Sequence, residues 1–347
     1  MDYDVVIATR NRLEALRISI PLILNQNRAP RKLIIVDASD DHEGIRQTVT
    51  KIVSDSPVTV KILESAQRNS ALQRNIGLEH VESPVVMFPD DDSFWWPDVA
   101  EKIMRIYEQD MSNDIGGVCA VRTDELPSEI SMKEEVTYDM RLSDRILRKV
   151  SKLRVIIDNY ICPNPMYVHG RSRWPDLTIP KWLPNVSATI IEYMNGLCMT
   201  FRSEIFKRYG YDNDLGAYVG WAANEDVGAS FAVMQEKVLV CVPDARVCHH
   251  KFPTRRGNGF ELGFINHFNR AYVICRYSAP GSPARRSLKR FGYYKALQYC
   301  FGLKNGFGRD RLRGHLQALR SMKLLLKSST EDLRDCYLEQ CQKVLAK

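Results

Sequence analysis

The sequence predicts an α/β protein with a mostly parallel sheet covered by helices, followed by a C-terminal helical appendage. Four short apolar runs alternate with helix-like stretches in the first hundred residues. The runs are Val5–Ala8, Leu33–Val36, Val58–Leu63 and Val85–Phe88. Continuous apolar strands separated by helices are typical of a parallel sheet that is buried on both faces.

The stretches between these runs are predicted helices, roughly Leu13–Asn25, Gly44–Val53 and Ala71–His80. Residues 124–190 are rich in proline around a basic helical stretch near Leu142–Val155. Such an irregular segment is expected to vary and to shape a substrate pocket.

A second ordered block follows this irregular segment. It begins with the run Tyr193–Phe201, and its predicted elements are helices near Ser203–Arg208 and Glu225–Gln235 and short strands Val238–Val242 and Arg246–Cys248. From about Phe260 onward the pattern predicts helices, including an amphipathic one near Leu312–Leu326.

The composition is that of a globular protein, with 44% apolar and 26% charged residues in 347. The nine cysteines include no C-x-x-C pair, which favours a reducing compartment over a disulfide framework. No leader-like segment precedes Val5, and no apolar run approaches the ~18 residues of a membrane span. We therefore expect a cytoplasmic protein.

The net charge of +7 is concentrated near the C-terminus, where residues 285–327 hold twelve Lys/Arg and one acid, Asp310. Aromatic residues accompany these cations: Phe291, Tyr293, Tyr294, Tyr299 and Phe301. One interpretation is peripheral contact with an anionic membrane at its inner face. The other is a set of helices that pack over the rest of the protein and keep a solvated basic face.

Ligands of open parallel sheets bind beyond the carboxyl ends of the strands. There the sequence places Thr9-Arg10-Asn11-Arg12 after the first run, Asp37 after the second and Asp90-Asp91-Asp92 after the fourth. Three adjacent carboxylates repel one another unless a cation compensates their charge. The triplet therefore predicts a Mn²⁺ or Mg²⁺ site completed by phosphate oxygens, with a solvated acidic turn as the alternative.

Two other nucleotide-binding classes are disfavoured. The first turn contains no glycine, whereas a dinucleotide-binding domain has G-x-G-x-x-G there, and no G-x-x-x-x-G-K-[ST] loop occurs anywhere in the chain.

The ordered motifs resemble those of family 2 glycosyltransferases over about residues 3–275. They are Val6–Arg12, Ile35–Ser39, Asn69–Gly77, Phe88–Asp92 and Asn224–Val227. The resemblance implies a GT-A fold in residues 1–275, with a nucleotide-binding half (1–117) and an acceptor half (118–275) that holds the variable insert. Residues 276–347 form the basic helical region.

The resemblance also implies roles for individual residues in the nucleotide-binding half. Thr9, Arg10 and Asp37 would hold the base and ribose, and Arg68 and Arg74 would line the nucleotide pocket. Asp90 and Asp91 would meet ribose or sugar, and Asp92 would bind the metal. For Thr9 and Arg10, an ordinary turn into a helix remains the alternative.

In the acceptor half, Asp226 is the candidate catalytic base, and Glu225 would orient a substrate. Both could instead lie on a solvated first helical turn. His249 is a candidate metal ligand, although paired histidines are often structural. Trp221 is a candidate for stacking on the acceptor sugar, whereas Trp95 and Trp96 are expected in the core. Gly196 would let the backbone approach the donor sugar, with a plain turn as the alternative.

These expectations combine into an inverting glycosyltransferase that uses a UDP-, GDP- or dTDP-linked sugar and a glycan or lipid-linked glycan acceptor, in bacterial surface polysaccharide synthesis. Nucleic acid is not an expected partner. Two rivals remain: a sugar-phosphate nucleotidyltransferase, which would usually show a glycine-rich first turn, and a non-catalytic nucleic-acid-binding protein.

Overall fold

The structure is a computed structural model that describes residues 1–128, 130, 157–250, 252, 258–303 and 305–346. Contacts divide the chain into two units. We call residues 1–127, 172–257 and 341–347 the sheet unit, and residues 128–171 and 258–340 the helical unit. The predicted boundary at residue 275 stays a prediction.

In the described part of the chain, nine strands form one sheet in the order β3-β2-β1-β4-β8-β6-β9-β5, with β7 beside β9. The strands are β1 (Tyr3–Thr9), β2 (Lys32–Asp37), β3 (Thr59–Glu64), β4 (Val85–Pro89), β5 (Ser93–Trp95), β6 (Ile115–Thr123), β7 (Thr189–Ile190), β8 (Cys198–Arg202) and β9 (Val238–His249). The predicted fold class is confirmed.

Helices cover this sheet or form the helical unit. The α-helices are α1 (Leu13–Leu24), α2 (His42–Val53), α3 (Ser70–Leu78), α4 (Val99–Gln109), α5 (Pro165–Arg173), α6 (Ser203–Tyr209), α7 (Glu225–Val233), α8 (Gly259–Tyr277), α9 (Pro283–Cys300), α10 (Gly306–Leu325) and α11 (Leu333–Leu345). Short helices of other types are Ile157–Ile161, Trp174–Asp176, Leu183–Asn185 and Asn213–Gly216. The stretch Leu142–Val155 lies outside the described residues.

The four predicted apolar runs form β1 to β4, which pair in parallel and confirm the first half of the prediction. The register places Thr9 beside Asp37 at the end of β1 and β2. Gly77 of α3 lies so close to the sheet that a Cβ would come 2.3 Å from Cγ1 of Val6. This close packing fixes α3 against the strands whose ends carry the polar motifs.

The second half of the sheet is mixed. Strand β8 lies antiparallel between β4 and β6, and β9 runs parallel to β6. The prediction of two separate strands, Val238–Val242 and Arg246–Cys248, was wrong, because residues 238–249 form the single strand β9. Its register shifts between Val242 and Arg246, where Pro243 has no amide hydrogen to donate and the chain bulges without leaving the sheet.

The helical unit includes α8, α9 and α10, which pack against one another. Helix α8 begins with a capping box in which Asn258 and Glu261 satisfy each other's backbone amides. The predicted amphipathic helix lies in α10, where Ala318, Leu319, Met322 and Leu325 are buried on one face. In the described residues, no helix combines the length and the apolar character that crossing a membrane would need.

Candidate active site

A cavity of about 710 Å³ opens at the carboxyl ends of β1 and β4 in the sheet unit. The turn before β8 and the segment that leads into α7 close its other side. Its lining comprises Ala8, Thr9, Arg10, Asn11, Arg12, Asp40, Ser70, Gln73, Arg74, Asp90, Asp91, Asp92, Asn195, Gly196, Val219, Gly220, Trp221, Asn224, Glu225, Asp226 and His249. The predicted motifs from distant parts of the sequence thus share one cavity.

The turn after β1 is tied to the acidic triplet. The Thr9 hydroxyl donates to Oδ2 of Asp91 at 2.9 Å, and both groups are buried. Gln73 of α3 donates to the carbonyls of Thr9 and Val36, which holds α3 to the ends of two strands. Asn11 adopts the left-handed conformation (φ 54°), which asparagine tolerates better than most residues. Thr9 therefore lines the cavity, and its predicted contact with the base and ribose stays a prediction.

Arg12, which was not among the predicted site residues, contacts two members of the triplet. Its Nη1 lies 2.6 Å from Oδ1 of Asp91 and 2.7 Å from Oδ2 of Asp92. The guanidinium offsets the repulsion between these adjacent carboxylates. Burial nevertheless raises the pKa of Asp91 to about 6. The sequence signal for Arg12 was a second basic residue shortly after the first strand, and the prediction named only Arg10, which also lines the cavity.

Asp90, Asp92 and His249 form a cluster whose potential metal-ligating atoms all lie within 4.8 Å of one another. Oδ1 of Asp92 lies 3.2 Å from Nε2 of His249, yet it is buried without a hydrogen-bond partner among the described residues. Burial opposes ionisation of Asp92, but His249 and Arg12 lower its pKa below the ordinary value. An ionised, unsatisfied carboxylate oxygen beside an imidazole nitrogen fits a divalent cation.

Arg74 links the two acidic groups of the cavity. Its Nη2 donates to Oδ1 of Asp90 at 2.7 Å, and its Nη1 donates to Oε1 of Glu225 at 2.9 Å. The guanidinium is 5.3 Å from the centre of the Tyr211 ring and is buried. A buried arginine with two carboxylate partners holds them at fixed separation.

Glu225 and Asp226 open α7 and face the cavity. Asn224 precedes them in the left-handed conformation (φ 67°). The amide of Gly196 donates to Oδ2 of Asp226 at 3.1 Å, and the amide of Val227 donates to its Oδ1 at 2.8 Å. Burial raises the pKa of Asp226, and burial together with the charge of Asp226 raises that of Glu225 to about 7. Both acids therefore face the cavity, unlike the alternative in which they lie on a solvated first turn of a helix.

Two predicted nucleotide-binding residues do not line the cavity. Asp37 is buried, and its oxygens accept from Ser39 and lie 2.6 Å from Nδ1 of His42. Arg68 is exposed and pairs with Asp40, which does line the cavity, at 2.7 Å. Asp37 therefore lies behind the cavity wall and Arg68 outside it.

The remaining candidate residues differ in whether they line the cavity. Trp221 lines the cavity, Gly196 approaches Asp226, and a Cβ at Gly196 would come 3.6 Å from that side chain. Trp95 is fully buried as expected, whereas Trp96 is half-buried beneath the Arg246 guanidinium, 3.9 Å from the ring centre. His250 stacks on Phe94 instead of facing the cavity, so His249 is the histidine of the site.

The raised pKa of Glu225 predicts a pH-dependent stability. Between its ordinary value of 4.5 and about 7, the folded state binds the Glu225 proton more tightly than the unfolded chain does. The free energy of unfolding should therefore fall as pH rises through this window. Glutamine does not titrate, so the Glu225→Gln variant does not lose this stability as pH rises. The difference between its Tm and the Tm of the wild type should therefore increase from pH ~5 to ~8 in metal-free buffer.

Glu204→Gln is the matched control, because Glu204 is a solvent-exposed carboxylate on α6. Its Tm should run parallel to that of the wild type. If the Glu225→Gln curve also runs parallel, burial does not perturb Glu225 as described.

Several solved structures have a fold similar to that of this chain. The chain is similar to the mannosyltransferase PcManGT from Pyrobaculum calidifontis in complex with GDP-Man and Mn²⁺, with 16% identity and a TM-score of 0.51 over 99% of this chain and 86% of that one. It is also similar to S. aureus TarS 1-349 in complex with UDP-GlcNAc, with 12% identity and a TM-score of 0.52 over 100% and 91% of the two chains. Comparison with curated proteins gives no match.

The fold is thus that of the GT-A class of glycosyltransferases. Residues 4–164 match the model of Glycosyl transferase family 2, and this part of the chain is a family 2 glycosyltransferase domain. The predicted family resemblance and the prediction of an enzyme are confirmed.

Proposed function

We propose that the protein is an inverting glycosyltransferase that transfers a sugar from a nucleoside-diphosphate sugar to a hydroxyl of a glycan or lipid-linked glycan. One observation carries this proposal: a single cavity contains both the Asp90–Asp92–His249 cluster and the half-buried Glu225–Asp226 pair. A cation site and a separate carboxylate base are the two groups that such a transfer requires.

The donor nucleotide is proposed to bind along the turn after β1. Thr9 and Arg10 line the cavity there, and Arg74 and Asp91 lie further in. Asp37 is proposed to support this subsite from behind, because it holds Ser39 and His42, which lie on either side of Asp40 in the chain. Arg68, paired with Asp40, would contribute positive charge at the rim.

Asp92, His249 and Asp90 are proposed to hold the divalent cation. When bound, the ion supplies positive charge that stabilises the departing diphosphate. An imidazole in the ligand set favours Mn²⁺ over Mg²⁺, since Mg²⁺ prefers oxygen ligands. Arg12 already balances one oxygen of Asp92 and leaves the other available.

Asp226 is proposed to take the proton of the acceptor hydroxyl. A raised pKa makes its carboxylate a stronger base than an exposed aspartate, and two backbone amides fix its orientation. Glu225, held by Arg74, is proposed to orient a substrate hydroxyl. Trp221 offers an apolar ring on which the acceptor sugar can stack.

A cytoplasmic role in the synthesis of bacterial surface polysaccharide belongs to the same proposal. All nine cysteines are free thiols, which suits a reducing compartment. The polysaccharide assignment derives from the family resemblance.

The test is thermal stabilisation of the protein by UDP, GDP and dTDP, each with and without Mn²⁺, with short DNA and RNA as comparison ligands. We expect one diphosphate to raise Tm only when Mn²⁺ is present. The matching nucleotide sugars are then screened for hydrolysis or transfer. Stabilisation by nucleic acid alone, or release of pyrophosphate from a nucleoside triphosphate and a sugar phosphate, would overturn the proposal.

A further inference from the structure

The exposed side of α9 in the helical unit carries large apolar side chains where a solvated helix would carry polar ones. Tyr293 and Leu297 are each 61% exposed, and Phe301, directly after the helix, is 81% exposed. Their spacing of four residues places them along one face. Three cations precede them on the same face: Arg286, Lys289 and Arg290.

The connection from α9 to α10 extends this apolar surface. Leu303 and Phe307 are also exposed, at 37% and 49%. We call Tyr293, Leu297, Phe301, Leu303 and Phe307 the apolar tip. Large side chains that cluster in this way on an exposed surface mark a contact site more often than single exposed residues do.

Most of the cations that flank the apolar tip have no carboxylate partner among the described residues. On the exposed side of α10 lie Arg309, Arg313, Arg320 and Lys323. The one acid of residues 285–327, Asp310, lies 3.3 Å from Arg313. In the sheet unit, by contrast, several exposed arginines have carboxylate partners, as in Arg31–Glu82 and Arg208–Glu236. Among the described residues, Lys289 and Arg290 have none.

We propose that the apolar tip and its flanking cations dock on a bilayer that contains anionic phospholipid. The apolar side chains would enter the boundary between headgroups and acyl chains, while the cations would contact lipid phosphates. Each cation near such a surface contributes about 1 kcal/mol, and salt screens this contribution. This inference is independent of the proposed catalytic function.

The composition of the apolar tip favours lipid over the other anionic or apolar partners. Leu297 and Leu303 have no aromatic face on which a nucleic-acid base could stack, but they gain free energy in hydrocarbon. A second copy of the chain would bring two uncompensated cationic surfaces together, which like-charge repulsion opposes. A bilayer with anionic headgroups offers hydrocarbon to the apolar side chains and negative charge to the cations.

The experiment is co-sedimentation of the full chain with vesicles of phosphatidylcholine alone or with about 30% phosphatidylserine, at low and high salt. The test variant is the double substitution Leu297→Ser with Phe301→Ser. Met111→Ser in the sheet unit is the control, because Met111 is equally apolar and 90% exposed. Tm of each variant shows that the fold is retained.

We expect binding to the anionic vesicles at low salt, weaker binding at high salt, and at least about tenfold weaker binding of the double variant, since two large apolar side chains are lost. The control should bind as the wild type does. Equal binding of the double variant and wild type, or binding to short RNA with none to anionic vesicles, would overturn the proposal. So would a dimer at low salt that the double variant abolishes while vesicle binding is unchanged.

Discussion

Replacing Asp226 with asparagine is expected to lower turnover by roughly 10²- to 10⁴-fold, the usual loss when a general base is removed. The amide has no proton-accepting charge at the position where Asp226 faces the cavity. Donor binding should remain nearly intact, because the cluster of Asp90, Asp92 and His249 is unchanged. The measurement compares kcat for transfer or donor hydrolysis with the Kd of the nucleotide in the presence of Mn²⁺.

Asp244→Asn provides the control for this experiment, since Asp244 is an exposed aspartate outside the cavity. It should leave both kcat and Kd unchanged. Turnover that survives in Asp226→Asn would show that another residue is the base. Weakened nucleotide binding in that variant would instead point to a role of Asp226 in holding the donor.

Replacing Asp92 with asparagine is expected to abolish the Mn²⁺-dependent part of nucleotide binding. Oδ1 of Asp92 is the buried carboxylate oxygen without a hydrogen-bond partner among the described residues, and it faces His249. A neutral amide is a much poorer ligand for a hard divalent ion. In the wild type, a ligand at about 100 times its Kd stabilises the folded state by about 2.7 kcal/mol, and this Mn²⁺-dependent gain should vanish in the variant.

Asp91→Asn is an informative comparison, because both oxygens of Asp91 are already bound by Arg12 and Thr9. We expect this substitution to lower Tm without removing the Mn²⁺ dependence. If Asp92→Asn keeps its Mn²⁺-dependent stabilisation, the metal site has been placed on the wrong residues. A loss of Mn²⁺ dependence in Asp91→Asn alone would lead to the same conclusion.

The sequence by itself determined the parallel half of the sheet and the polar residues at its edge. The runs Val5–Ala8 and Val85–Phe88 are continuous and apolar because both faces of their strands are buried. Since parallel strands end at a common edge, the strand pattern alone was enough to predict that Thr9 meets the triplet after β4.

The tertiary structure decided which of these polar groups contact one another. Arg74 binds Glu225 across 151 residues of sequence, and Arg12 binds Asp92 across 80. Asp37, at the end of β2, follows the same sequence pattern as Thr9, yet its side chain turns into the protein toward Ser39 and His42. Which way such a side chain faces depends on neighbours from other segments.

The pairing of β9 shows why the sequence predicts which segments are buried but not which side chains meet. Apolar periodicity reports how one segment is buried, but it does not report the partner strand or its register. His249 reaches Asp92 because β5 pairs with β9 so that Ser93 lies opposite His249. Local burial is encoded residue by residue, whereas the cluster of Asp90, Asp92 and His249 forms only when distant strands pair.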